Sequence, residues 1–199
     1  GPDRSPAVSP DGKRLAWLGY DDQRLSYQQT ELYVRELDSA APTLLTANFD
    51  HDISRISWSA SGETLFAQAL VEGQIHLIEI TLEGEVTTIT SDVGGTSLGR
   101  PYGAGDHAIR ETGSNRVIAW TQANTHRPAE LAIRVGDGSP RIVTDLNTDL
   151  LTGISLPQIL ELQVPSRLDG LNIEAWVAIP EGVKADGTAP LILEIHGGP

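Results

Sequence analysis

Ser9-Pro-Asp-Gly-Lys-Arg-Leu-Ala-Trp17 is a turn followed by an alternating apolar strand, and it decides the fold because it recurs. Ser59-Ala-Ser-Gly-Glu-Thr-Leu-Phe-Ala67 has the same form. A second strand follows each copy, Glu31-Leu-Tyr-Val-Arg-Glu-Leu37 and then Gln74-Ile-His-Leu-Ile-Glu-Ile80. Each unit closes on a short strand ending in threonine, Thr43-Leu-Leu-Thr46 and Thr87-Thr-Ile-Thr90. A more divergent third copy runs through Asn115-Arg-Val-Ile-Ala-Trp120, Ala129-Glu-Leu-Ala-Ile-Arg-Val135 and Arg141-Ile-Val-Thr144. Period-two alternation broken by Asp-Gly and Ser-Gly turns is the pattern of antiparallel strands.

A repeat of about 40–50 residues made of short antiparallel strands predicts β-propeller blades. A single blade leaves both sheet faces in need of neighbours, so stacking is expected to bury the apolar sides of Trp17, Trp58 and Trp120. A β-sandwich also has short strands and turns, but the shared order of turn and three strands in three units favours the propeller. Three units are fewer than the usual 4–8 blades of a ring. Further blades are therefore expected before Gly1. The absence of methionine, the Gly1-Pro2 start and the apolar run at the other end likewise read as a piece of a larger protein.

After Thr144 the repeat stops. Asp145-Leu-Asn-Thr-Asp-Leu-Leu151 reads as a connector, Glu161-Leu-Gln-Val164 as a strand, Arg167-Leu-Asp-Gly170 as a turn and Asn172-Ile-Glu-Ala-Trp-Val-Ala-Ile179 as a second strand. A polar loop from Glu181 to Pro190 leads into Leu191-Ile-Leu-Glu-Ile195, read as a buried strand because it is nearly continuous in apolar residues. The division expected is residues 1–150, the later part of a propeller, and 151–199, the first strands of an α/β-hydrolase domain. The fold class is thus mainly β, a partial propeller of about three blades running into that domain.

Composition removes several classes of function. Fourteen basic against 27 acidic residues give a formal charge of −13, with no basic patch to release counterions from a phosphate backbone, so nucleic acid is not an expected partner. No apolar run approaches the roughly 18 residues that cross a bilayer, and no membrane partner is expected. Zero cysteine excludes thiol nucleophiles and cysteine-ligated metal sites, and leaves the redox compartment open. Asp145-x-Asn147-x-Asp149 opens like a calcium loop, but Leu150 and Leu156 stand where Gly and Glu are required. Gly103-x-Gly105-x-x-Ala108 imitates a dinucleotide fingerprint without a strand before it or a helix after it, and reads as a turn. Asp50-His51-Asp52 reads as a solvated blade loop, since adjacent side chains on extended backbone point to alternate faces. His76, His107 and His126 lack ligand spacing. No cofactor and no metal are expected. Tyr20, Asp21, Asp22 and Arg24 lie in a loop between blade strands, either facing a substrate cavity or plainly solvated.

The order of blade repeats, then Thr144-Asp-Leu-Asn147, then Leu191-Ile-Leu-Glu-Ile-His-Gly-Gly-Pro199 resembles the prolyl oligopeptidase family of serine peptidases, in its acylaminoacyl-peptidase-like branch. The resemblance implies hydrolysis of short or acylated peptides, with the propeller gating access to the active site and a peptide as the partner. It implies that the backbone N–H of Gly198 serves the oxyanion hole, with His196, Gly197 and Pro199 organising the loop. The nucleophile and its triad partners come later in the family's order, and no serine here lies in a Gly-x-Ser-x-Gly context. The chain alone is therefore expected to be inactive. The rival readings are a non-catalytic propeller acting as an interaction platform and an esterase fused to a propeller.

Overall fold

The computed structural model describes residues 2–39, 41–95, 105–113, 115–184 and 186–195. It divides into one unit of Gly1–Asn124 with Pro128–Asp145 and another of Thr125–Arg127 with Leu146–Pro199. The first unit is a run of antiparallel sheet. Strands β1 (Arg4–Val8), β2 (Arg14–Gly19), β3 (Glu31–Glu36) and β4 (Thr43–Leu44) form a four-stranded sheet in sequence order. Strands β5 (Ile53–Trp58), β6 (Thr64–Val71), β7 (Gln74–Thr81) and β8 (Val86–Val93) repeat it. Strands β9 (His107–Thr112), β10 (Asn115–Asn124), β11 (Arg127–Val135) and β12 (Arg141–Ile142) repeat it again, with β10 meeting β8 where Gln122 lies opposite Val93. This is blade architecture, and the fold is mainly β as expected.

Each repeat has four strands rather than the expected three. The additional ones, β1, β5 and β9, precede the turns from which the repeat was read. Two of them carry the same irregularity. The register of β1 slips between Arg4 and Ala7, and that of β5 between Ser54 and Ser57. Ser5 and Arg55 sit within those slips with φ of 54° and 50°. Such bulges break period-two alternation, which is the signal that reveals a strand.

The turns explain why the sequence motif is so legible. Ser9 and Ser59 are buried, and their Oγ atoms accept the N–H of Arg14 at 2.9 Å and of Thr64 at 3.1 Å. Their carbonyls accept the N–H of Gly12 and Gly62, whose φ values of 72° and 74° suit glycine at little steric cost. Asp11 accepts the Ser9 hydroxyl and the Lys13 N–H, and Ser61 takes the second role for Glu63. The Ser9 and Lys13 bonds hold the Asp11 carboxyl below its ordinary pKa.

Packing joins neighbouring repeats. One apolar cluster runs from Ala16, Leu18 and Leu32 of the first to Leu65, Ile78 and Ile80 of the second. Another joins Leu77 and Val93 to Ile118 and Trp120. Of the three tryptophans expected in the interior, Trp120 is fully buried, with its indole N–H on Asp92 at 3.0 Å. Trp58 is half-buried and donates across the seam to the Ala7 carbonyl. Trp17 is also half-buried, stacked on Tyr33 with ring centres 5.6 Å apart.

Polar contacts repeat at the seams with a separation of 51 residues: Trp58 to the Ala7 carbonyl, Asp106 to Arg55, and Glu111 to the Ala60 N–H. The strongest seam centres on Arg116. Its Nη atoms reach both Glu79 oxygens at 2.7 and 2.9 Å, its Nε reaches Glu111 at 2.9 Å, and its guanidinium lies 4.9 Å from the centre of the buried Phe66 ring. Burial would raise the Glu79 pKa, but hydrogen bonds from Arg116 and Thr64 outweigh it and leave the carboxyl below its ordinary value.

The second unit holds a one-turn helix α1 (Thr148–Leu151) and an antiparallel hairpin of β13 (Gln158–Pro165) and β14 (Asn172–Ile179). The hairpin matches the expectation. The strand expected at residues 191–195 does not form, and its apolar side chains are largely exposed. A parallel-sheet strand has no hydrogen bonds of its own, and no described strand pairs with this run.

Arg116→Met keeps an apolar stem over Phe66 but leaves two half-buried carboxylates without their cation. It is expected to lower the unfolding free energy by about 1.5–3 kcal/mol. Glu36→Gln, which loosens the more exposed Arg14–Glu36 pair, is expected to cost about 0.2–1 kcal/mol. Urea midpoints of both variants check this, and equal shifts would contradict the ranking.

Candidate functional site

Antiparallel pairing brings several expected candidates to one rim of the sheet unit. The first strand of every repeat begins there, and the connections from second to third strand cross it. Those connections differ sharply. Glu72-Gly73 suffices between β6 and β7, and Thr125-His126 between β10 and β11, whereas residues 20–30 stand between β2 and β3.

Loop 20–30 is a built structure. Asp22 accepts the Arg24 N–H at 2.8 Å and the Gln28 side-chain NH2 at 3.2 Å, while the Gln28 side-chain Oε1 accepts the Gln23 N–H. Gln29 donates to the carbonyls of Phe49 and His51. Asp52 takes the Thr30 N–H on one oxygen and the Tyr27 hydroxyl on the other, both at 2.6 Å. The bond to Asp52, then burial, then the charges of Asp52 and Asp50 push the Tyr27 pKa up to about 12, so the phenol stays a donor. Asp52 is therefore a clamp between two loops, which the solvated-loop reading of Asp50-His51-Asp52 did not foresee. The His51 ring meets Phe49 edge-on at 4.9 Å.

Two arginines of the first strands take different partners. Arg4 donates to the Thr30 hydroxyl at 2.9 Å. Arg55, on its bulge, reaches Asp106 at 3.2 Å. Deeper in, the buried Gln68 amide donates to the Gly105 carbonyl and meets His107 Nδ1 at 3.0 Å. Burial lowers the His107 pKa, Asp106 opposes the shift and Arg55 adds to it. His76 is lowered as well, by burial and then by the charge of His51.

The remaining candidates are scattered. His126 meets the Pro157 carbonyl at 2.9 Å within the second unit. Asn147 caps α1 with its backbone carbonyl, which accepts the Leu151 N–H. Gly105 is packed so closely that a Cβ there would lie 2.4 Å from Val93. The second unit has a shallow cleft lined by Ser155, Leu156, Gln158 and residues 179–183, where the Ser155 hydroxyl meets Glu181. No histidine lines it among the described residues, and the group on the Ser155 hydroxyl is the Glu181 carboxylate rather than an imidazole. His196, Gly197, Gly198 and Pro199, the expected oxyanion loop, lie outside the described residues, as does Gly103.

No family model matches the chain. Over 201 residues it is 26% identical to dipeptidyl-peptidase 5 of Porphyromonas gingivalis, a match that takes in 100% of this chain and 28% of that protein. The chain thus spans roughly a quarter of the length of the curated relatives it matches. Among solved structures it is similar to an acylaminoacyl peptidase in complex with Z-Gly-Gly-Phe-chloromethyl ketone, with TM-score 0.61, 19% identity, and coverage of 90% of this chain and 25% of that one. It is also similar to TolB from Acinetobacter baumannii, with TM-score 0.50, 19% identity, and coverage of 73% and 33%. The structural likenesses are likenesses of fold. Together with the sequence relatives, they agree with the resemblance to a prolyl oligopeptidase-family peptidase.

His107 makes stability depend on pH. Its lowered pKa means that the unfolded chain takes up the proton first as pH falls below about 6.5, so stability is full above that value and drops toward the folded pKa. The urea midpoint is expected to fall between pH 7.5 and pH 5, and by less in His107→Gln. An identical fall in the variant would exclude His107 as a source.

Proposed function

We propose that this chain is the junction between a propeller and an α/β-hydrolase domain in a serine peptidase of the prolyl oligopeptidase family, one that cleaves short or acylated peptides. The reading rests above all on the sequence match to a dipeptidyl peptidase, which runs through the repeats and on to the last residue. The propeller resemblance alone, which extends to TolB, does not distinguish an enzyme from a non-catalytic interaction platform. The His-Gly-Gly-Pro ending favours the enzyme.

In this reading residues 1–150 belong to the propeller, which gates peptides by size, and residues 151–199 open the hydrolase domain. A serine outside residues 1–199 attacks the scissile carbonyl, whose oxygen gains negative charge. The N–H of Gly198 donates to that oxyanion. Glycine at this position lets the backbone approach without a Cβ in the way. His196, Gly197 and Pro199 fix the turn so that the donor is already aimed, and a donor that needs no reorganisation stabilises the transition state more than the ground state.

Gly198→Pro deletes the donor itself. In the full-length enzyme acting on chromogenic aminoacyl and dipeptidyl anilides, kcat is expected to fall by about 10²–10³, with KM much less affected. Unchanged turnover would remove Gly198 from the oxyanion hole. Turnover of esters but no peptide by the unaltered enzyme would favour the propeller-fused esterase, and turnover of neither the platform.

A further inference from the structure

Loop 20–30 breaks the symmetry of the repeats. Its counterparts are two-residue turns, so blade geometry does not demand it. Long excursions in compact folds are commonly functional. This one is preorganised by the Asp22–Gln28 bracket, by the two Gln29 bonds and by the Asp52 clamp on Tyr27 and Thr30. Arg24 is held at φ 58° inside it. Yet the loop displays apolar surface, with Leu25 62% and Tyr27 61% exposed. Apolar side chains on a loop already ordered lose little entropy when something covers them.

Its surroundings indicate what that something is. Asp21 and Asp50 are exposed at the same loops, where with Asp22 and Asp52 they outnumber the exposed Arg4 and Arg24, and the Asp50 charge acts on Tyr27. The formal charge of −13 adds a field that favours cations.

We propose that residues 20–30, together with Asp50, form a substrate-selecting loop that receives peptides carrying an apolar residue next to a basic one. Leu25 and Tyr27 cover the apolar side chain, and Asp50 with Asp21 faces the cation. The loop deepens the peptidase reading and rests on it. It contacts the substrate away from the bond that breaks, so it sets selectivity between peptides rather than the rate of the chemical step.

The test compares, in the full-length enzyme, kcat/KM for two peptides identical except for a Leu-Lys or a Ser-Glu pair. The unaltered enzyme is expected to prefer Leu-Lys. Leu25→Ser is expected to lower that ratio about tenfold, within the range of one apolar pocket contact. Asp50→Asn is expected to lower it about threefold, with the difference shrinking at high salt. Replacing residues 20–30 by the Glu-Gly turn of β6–β7 should remove most of the preference. Ratios within twofold of the unaltered enzyme in the folded variants would overturn the proposal, as would an equal loss on both peptides. Asp50→Asn, a surface substitution, keeps the test decisive if Leu25→Ser fails to fold. Fluorescein-labelled versions of both peptides, followed by anisotropy, read the same preference as binding. If no peptide is cleaved but the labelled Leu-Lys peptide binds and Leu25→Ser weakens it, the loop stands and the peptidase reading falls.

Discussion

A four-stranded sheet with apolar side chains on both faces cannot be buried by its own strands, and that constraint shapes the first unit. Ala16, Leu18 and Leu32 share one buried cluster with Leu65, Ile78 and Ile80 of the next repeat, and Leu77 and Val93 share another with Ile118 and Trp120. The seams then need polar matching as well as apolar fit. Arg116 supplies it by neutralising Glu79 and Glu111 over the Phe66 ring, so three charged groups are tolerated beside a closed core. Arg14 does a lesser version of the same work with Glu36 and the Gly62 carbonyl. Where the seams bind tightly, the rims are free to vary, and among the second-to-third-strand connections the elaborate one is loop 20–30.

Much of this was legible in the sequence, for local reasons. Ser9-Pro-Asp-Gly12 and Ser59-Ala-Ser-Gly62 each contain the whole hydrogen-bonding apparatus of their turns, so the repeat could be read without knowing what lies across it. The second and third strands follow from uninterrupted alternation. Two of the first strands, β1 and β5, are hidden because bulges at Ser5 and Arg55 break that alternation. Residues 191–195 failed in the opposite way: their apolar run is strand-like, but a strand exists only with a partner to bond.

The site was less legible because its bonds are long-range. Nothing beside Asp52 announces that it clamps Tyr27, 25 residues earlier, and nothing beside Gln68 announces His107, 39 residues later. One signal was available: the length of residues 20–30 against the two-residue turns at the matching places in the other repeats. The family resemblance rests instead on the order of blade repeats, Thr144–Asn147 and the last nine residues, of which the last nine alone are specific to the peptidases.

The central claim is that this propeller segment serves a serine peptidase whose nucleophile lies outside residues 1–199. Labelling the full-length protein with a fluorophosphonate probe and locating the adduct by mass spectrometry tests it most directly. The account predicts one modified serine outside residues 1–199, loss of peptide turnover on labelling, and no labelling of residues 1–199 expressed alone. An adduct on a serine within these residues, or a full-length protein that takes up no probe, would contradict it.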